Sequence, residues 1–135
     1  MIKKMVLSAF LVLHVASLFA QQKQLPNPNL QTLGRPINTL PYSEFAPTVS
    51  ADGNTMIFES DRSGRWRLYI TYQLKPGVWS EPKDLEVINN QVAPGDFLGG
   101  PCISYDGNML LFTSNMKGTV GGVDIWMSKR TNDEW

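Results

Sequence analysis

The spacing of apolar and polar positions between residues 44 and 88 predicts a run of short β-strands separated by tight turns. In the segment 55–60, Met56 and Phe58 alternate with Ile57, so both faces of the strand carry apolar side chains. A strand that is apolar on both faces is typical of a sheet packed between neighbouring sheets. The pattern therefore predicts stacked sheets.

Strands are expected at residues 46–50, 55–60, 66–74 and 78–87. The turns between them contain glycine, and Asp52-Gly53 supplies the positive φ that a tight hairpin needs. Pro82 interrupts the last strand. Because proline cannot donate a ladder hydrogen bond, this strand is expected at the edge of its sheet.

The same pattern occurs twice, since the segment from Pro47 to Ser60 returns as the segment from Pro101 to Ser114 at an offset of 54 residues. Further along, Tyr69 matches Trp126 at an offset of 57. The structural repeat motif consists of Pro47, Ser50, Asp52, Gly53, Phe58 and Trp79 in the first copy and Pro101, Ser104, Asp106, Gly107, Phe112 and Trp135 in the second. A repeat of about 50 residues that contains four antiparallel strands is typical of a β-propeller blade.

The sequence thus predicts an all-β fold with blade one at residues 44–88 and blade two, truncated before its last strand, at residues 96–135. Propellers have about 4–8 blades, so about two blades indicate an N-terminal piece of a larger ring. A ring assembled from several chains is the alternative. Residues 33–38 resemble residues 85–89, so residues 30–38 are predicted to be a lone N-terminal strand that closes the ring by completing the last blade.

The first 20 residues have the layout of a secretory signal peptide. Lys3 and Lys4 form a basic head, an apolar run extends from Met5 to Phe19, and cleavage is expected after Ala20. The run is shorter than the roughly 20 apolar residues of a membrane span, which argues against an uncleaved anchor. Residues 21–29 are then a flexible lead-in, and the protein is expected in the periplasm or at the outer membrane.

The charge and the cysteine content of the chain argue against nucleic acid or an anionic membrane as a partner and against an internal disulfide. After cleavage, 10 basic and 12 acidic residues remain, a net charge of −2, which does not favour nucleic acid or an anionic membrane. The single cysteine, Cys102, cannot form an internal disulfide; it takes the position of Thr48 and is expected to be a buried thiol.

The motif Pro-x-x-Ser-x-Asp-Gly-Asn, followed by two apolar residues, Phe-x-Ser and a later tryptophan, resembles the TolB-type propeller repeat family. The resemblance covers roughly residues 30–135, although Ala51 and Tyr105 stand where the family usually has proline. It implies a propeller of bacterial envelope proteins. In such proteins the propeller often precedes an OmpA-type peptidoglycan-binding domain, so peptidoglycan association through a further C-terminal domain is expected.

Catalytic, metal and cofactor sites are not expected. The only histidine, His14, lies in the signal segment, so the mature chain has no Ser-His-Asp triad, and one cysteine does not make a zinc site. Asp61, Asp96 and Asp124 are acidic candidates for glycoside hydrolysis, but no pattern singles them out. The Asp-Gly-Asn carboxylates are expected to hold their own turns rather than a cation.

Two aromatic features have alternative interpretations. The cluster Arg62-Ser63-Gly64-Arg65-Trp66-Arg67 is interpreted as a solvated turn with snorkelling arginines, against a surface that stacks on a sugar or base. The tryptophans Trp66, Trp79, Trp126 and Trp135 are interpreted as packing residues between blades, against a carbohydrate site.

These features predict a non-enzymatic envelope scaffold that binds an unidentified protein or cell-wall-associated partner. The alternative is the propeller portion of a secreted enzyme, either one that gates a hydrolase or one that acts on glycans. Its catalytic residues would then lie beyond residue 135. A Gly-x-Ser-x-Gly elbow or histidine clusters in later coding sequence would favour that alternative.

Overall fold

A computed structural model of the chain describes residues 30–132 and 134–135, and one unit of the chain extends from Leu33 to Trp135. The predicted signal peptide and lead-in, residues 1–29, lie outside the described residues. The elements of this unit are β1 (Glu44–Val49), β2 (Thr55–Ser60), β3 (Arg67–Lys75), β4 (Val78–Trp79), β5 (Lys83–Asp84), α1 (Glu86–Asn89), β6 (Leu98–Ile103), β7 (Met109–Ser114) and β8 (Asp124–Lys129). The predicted all-β fold with antiparallel sheets is confirmed.

The first sheet has the strand order β1-β2-β3-β4, and β5 also pairs with β3. Trp79 of β4 lies opposite Gln73, whereas Lys83 of β5 lies opposite Ile70, so the two short strands follow different parts of β3. They are the two halves of the predicted last strand, separated around Pro82, and they form the sheet edge as expected.

The prediction that this last strand continues to residue 87 is wrong, because one helical turn, α1, follows Leu85. Asn89 on this turn is buried, and its side-chain oxygen accepts a hydrogen bond from the Leu68 amide at 2.9 Å. Its side-chain nitrogen donates to the Leu68 carbonyl at 2.8 Å. The Asn89 side chain thus pairs with the Leu68 amide and carbonyl of β3 in the way that a residue of a neighbouring strand would.

The second sheet repeats this order with β6, β7 and β8. Phe58 lies opposite Tyr69 in the first sheet, and Phe112 lies opposite Trp126 in the second. After β8, the described residues contain only an isolated bridge between Thr131 and Glu134. The repeat found in the sequence is therefore a repeat of strand order and register.

The two sheets pack face to face. We call the face that carries Ile57 in the first sheet and Leu111 in the second the rear face, and the opposite face the front face. The rear face of the first sheet packs on the front face of the second in one buried cluster. This cluster contains Ile57, Leu68, Ile70, Leu85, Ile88, Val92, Leu98, Ile103, Leu110, Phe112 and Met116.

Hydrogen bonds between described residues connect the sheets at this contact. A carboxylate oxygen of Glu59 accepts a hydrogen bond from the Gly100 amide at 2.6 Å, and the Thr48 hydroxyl accepts one from the Ile103 amide at 3.1 Å. A Cβ atom at Gly99 would lie 2.9 Å from the Glu59 carboxylate, so glycine permits this close approach.

The front face of the first sheet is covered by residues 33–38. Ile37 is buried there with Met56, Phe58 and Tyr69. The predicted strand over residues 30–38 is absent: residues 35–38 form a turn, in which the Ile37 and Asn38 amides donate to the Gly34 carbonyl at 3.2 Å. Because the turn satisfies these amides locally, they need no neighbouring strand. The ring-closing role of the segment stays a prediction.

Within the described residues, no helix is long and apolar enough to span a membrane.

Candidate interaction surfaces

The Asp-Gly-Asn turn of the first sheet is held by its own side chains. The Asp52 carboxylate accepts hydrogen bonds from the Ser50 hydroxyl at 2.5 Å and from the Asn54 amide at 3.0 Å. The Ser50 hydroxyl also accepts a hydrogen bond from the Thr55 amide at 3.0 Å, and Gly53 supplies a φ of 73°. Each group of the motif therefore has a local structural partner.

The second sheet contains the same turn. The Asp106 carboxylate accepts hydrogen bonds from the Ser104 hydroxyl at 2.6 Å and from the Asn108 amide at 3.1 Å. The serine hydroxyl bonds, followed by these backbone amides, lower the pKa of both Asp52 and Asp106 from the ordinary value of 3.8. In the described part of the chain, no three His, Cys, Asp or Glu residues are placed to hold a metal ion.

A groove of about 460 Å³ lies between the two turns. Asp52, Asp106 and Arg130 are among the residues that line it, and so is Tyr105. Tyr105 lies at this end of the stacked sheets with 90% of its surface exposed. The groove thus combines an accessible aromatic ring with charges of both signs.

The basic hairpin of residues 62–67 is more firmly packed than a solvated turn with snorkelling arginines. The Arg62 side chain is only 16% exposed and forms an ion pair of 3.2 Å with Glu44. Its guanidinium lies 5.1 Å from the centre of the Phe58 ring and 5.0 Å from that of Tyr69. It also donates a hydrogen bond of 2.7 Å to the Ile37 carbonyl. The interpretation is therefore wrong for Arg62, because this cation joins residues 33–38 to the first sheet.

Arg67 also has structural partners. Its guanidinium contacts Asp84 at 2.7 Å and donates a hydrogen bond of 3.1 Å to the Asn90 side chain. Two other members of the cluster, Arg65 and Trp66, line a pocket of about 220 Å³ with apolar residues that include Val92. Arg67 lines the same pocket, so three members of the predicted basic cluster border it.

Three tryptophans pack on apolar clusters, and two of them, Trp126 and Trp135, lie at the contact between the sheets as predicted. Trp79 packs on the front-face cluster of the first sheet, whereas Trp126 and Trp135 pack on the cluster between the sheets. The Trp126 ring nitrogen donates a hydrogen bond to the Ser114 carbonyl at 3.2 Å. Trp66 differs: it is 42% exposed and lies 5.2 Å from the Phe45 ring.

The three acidic candidates have separate surroundings. Asp61 accepts a hydrogen bond from the Ser43 amide at 2.8 Å, and Asp124 accepts one from the Val120 amide at 2.5 Å. Asp96 lines the pocket beside Trp66. The fold gives each carboxylate its own environment and does not form a pair from them.

Cys102 is exposed, so the prediction of a buried thiol is wrong. It lies opposite Leu111, which in turn lies opposite Met127, and these three side chains form a row on the rear face of the second sheet. Cys102 is accessible because the described residues place no sheet on this face. The repeat could have identified the surface, since Thr48, the equivalent of Cys102, lies on the contact between the sheets.

Comparison with known proteins gives no assignment: no protein-family model matches the chain. The curated proteins likewise contain no significant match to it.

Proposed function

We propose that this protein is a non-enzymatic scaffold of the bacterial envelope, built from propeller blades of a larger ring, and that it binds a protein or cell-wall-associated partner. The observation that supports this best is the stacking of two repeat units in one register, with the rear face of the first on the front face of the second. Units that bury their faces against each other are typical of repeat scaffolds.

The use of the polar side chains supports a scaffold. Asp52 and Asp106 hold turns, Arg62 fastens residues 33–38, and Glu59 joins the sheets. A catalytic group needs its polar atoms directed at a substrate. Here the charged groups of these four residues form their hydrogen bonds with the backbone and side chains of the protein itself.

The end of the stack that carries the two Asp-Gly-Asn turns is the proposed partner-contact surface. Exposed tyrosines are frequent anchors of protein interfaces, and Tyr105 lies there beside the groove between the turns. The carboxylates at the groove provide hydrogen-bond acceptors around this ring. A partner with donor groups around an aromatic-binding pocket fits this surface.

The signal-peptide pattern of residues 1–20 supports an envelope location. Fractionation of cells that express the chain with a C-terminal tag tests this part. We expect a mature protein that begins at Gln21 and is found in the periplasm or outer-membrane fraction, with its N-terminus read by mass spectrometry. The matched control is Leu13→Arg, which interrupts the apolar run and should keep the precursor uncleaved. Wild-type protein retained uncleaved in the cytoplasm would contradict the proposed location.

Partner contact is tested by cross-linking in the envelope of the source cell. Tyr105→Ser should lower the yield of the cross-linked partner by at least fivefold, because it removes the exposed ring. Val120→Ser is the matched control, since Val120 is 97% exposed in the β7–β8 loop at the opposite end of the sheet. Equal losses in both variants, or none in either, would refute the assignment of this surface.

A further inference from the structure

The rear faces of the two sheets are equivalent in sequence but differ in exposure. In the first sheet, Leu68 is fully buried and Ile70 is 6% exposed. Their equivalents at an offset of 57 are Ile125, which is 76% exposed, and Met127, which is 53% exposed. The second sheet thus carries, uncovered, the apolar positions that the first sheet buries against its neighbour.

The other sheet faces are already covered. The front face of the second sheet, with Leu110 and Phe112, packs on the first sheet. The front face of the first sheet is covered by Ile37 and held by Arg62. Within the described residues, the stack is closed at its first sheet and open at the rear face of its second.

The two residues of the first sheet whose side chains accept hydrogen bonds from the second sheet are replaced by different residues at the equivalent positions of the second sheet. Glu59, which accepts the Gly100 amide, corresponds to Thr113, and the Thr113 hydroxyl donates to the Gly99 carbonyl of its own sheet at 2.9 Å. Thr48 corresponds to Cys102. The open face therefore retains the apolar surface and lacks the carboxylate that joins the first pair of sheets, so contact there depends on apolar burial.

We propose that the rear face of the second sheet, formed by Cys102, Leu111, Ile125 and Met127, docks the front face of a further unit of the same repeat, joined in the same chain. This docking rests on the proposed propeller scaffold and identifies the surface on which its next repeat unit packs. The chemistry of the occupant follows from the two known front faces, which present an aliphatic residue and a phenylalanine two positions apart, Met56 with Phe58 and Leu110 with Phe112.

The repeat itself supplies the test molecule. Because Trp135 is equivalent to Trp79, a copy of residues 80–135 added after Trp135 continues the repeat in register. With the copied cysteine replaced by serine, Cys102 remains the single thiol. We expect the thiol reagent DTNB to react with Cys102 at least tenfold more slowly in the extended chain than in the 135-residue chain, because the added sheet covers it.

Matched substitutions identify the face. Ile125→Asp in the extended chain should restore fast reaction of Cys102, since a carboxylate cannot be buried there without cost. Val120→Asp, which adds the same charge in the β7–β8 loop away from this face, should leave the slow reaction unchanged. If Ile125→Asp unfolds the extended chain by circular dichroism, Met127→Ser provides the milder version of the same test.

Equal reaction rates in the folded extended chain and in the 135-residue chain would overturn the proposal. Light scattering distinguishes a second copy as occupant: a dimer of the 135-residue chain, with Cys102 protected as concentration rises, would also overturn it. Neither result depends on export or on an envelope partner, so failure of this inference leaves the envelope location and the partner contact of the proposed function unaffected.

Discussion

At the scale of single residues, the two repeats place different residue types, alanine and glycine, in the same left-handed backbone conformation. The first strand of each sheet has a bulge, between Phe45 and Thr48 in β1 and between Gly99 and Cys102 in β6. Ala46 has a φ of 46° in the first bulge, and Gly100, its equivalent, has a φ of 59° in the second. Alanine is strained in this left-handed region, whereas glycine is not.

Exchange of these residue types should move stability in opposite directions. Ala46→Gly should raise the free energy of unfolding by about 0.5–1 kcal/mol, since relief of about 1–2 kcal/mol of left-handed strain exceeds the entropic cost of glycine. Gly100→Ala should lower it by about 1–2 kcal/mol, because the new Cβ also meets the Thr113 hydroxyl at 3.2 Å. Urea unfolding measures the change in the free energy of unfolding for both variants. Destabilisation by Ala46→Gly would contradict the proposed backbone strain at Ala46.

The turn carboxylates predict an acid dependence of stability. The pKa values of Asp52 and Asp106 are lowered in the folded protein by hydrogen bonds from serine hydroxyls and backbone amides. A lowered carboxylate pKa stabilises the fold above the unfolded value, near 3.8, and this contribution is lost as pH falls through the folded pKa. The urea midpoint should therefore fall as the pH drops below about 4.

The Asp52→Asn and Asp106→Asn double variant is the control for this dependence. It should be less stable at neutral pH and should lose less stability between pH 5 and pH 2, because two of the titrating groups are gone. Parallel pH curves for the variant and the wild type would show that these carboxylates do not contribute.

At the scale of elements, Arg62 decides how residues 33–38 join the first sheet. Its guanidinium connects Glu44 of β1 and the Ile37 carbonyl while it lies over two aromatic rings. The equivalent residue of the second repeat is Met116, which is buried and has no such segment to hold. The cation is thus a feature of the first unit alone.

Arg62→Met should therefore lower the free energy of unfolding by about 2 kcal/mol, because it removes charge-assisted hydrogen bonds and leaves Glu44 without its cation. Hydrogen exchange of the Ile37 and Asn38 amides should become faster. Arg65→Met is the matched control, since Arg65 forms no ion pair within the described residues, and it should change stability by less than about 0.5 kcal/mol. Similar effects of the two variants would argue against this role of Arg62.

At the scale of the whole molecule, exposure depends on the neighbouring sheet and not on the repeat position. Leu68 and Ile125 have equivalent strand positions, but only Leu68 is covered. Leu68→Ala should cost about 2–5 kcal/mol, because it leaves a cavity between the sheets. Ile125→Ala should cost less than about 0.5 kcal/mol in the 135-residue chain. Comparable losses would mean that Ile125 is buried in solution, and thermal and urea unfolding together would detect this.

The sequence predicted the strands well where alternation and turn chemistry agree. The segment 55–60 was predicted with both bounds and with Met56 and Phe58 opposite Ile57, since side-chain direction follows from strand period alone. It did not predict α1, because the buried Asn89 side chain replaces strand pairing only once β3 lies beside it. Nor did it predict the turn of residues 35–38, which Arg62, 25 residues away from Ile37 along the chain, joins to the first sheet through the Ile37 carbonyl.

By itself, the sequence determined the repeat, the turns and the two-faced apolar strands, because these depend on local backbone preferences and side-chain period. Only the tertiary structure decided which of the equivalent faces is covered. Thr48 and Cys102 occupy the same position in their repeats, yet one lies in the contact between sheets and the other is open to solvent. The physical reason is that burial is a property of pairs of surfaces, and one strand does not specify the surface that meets it.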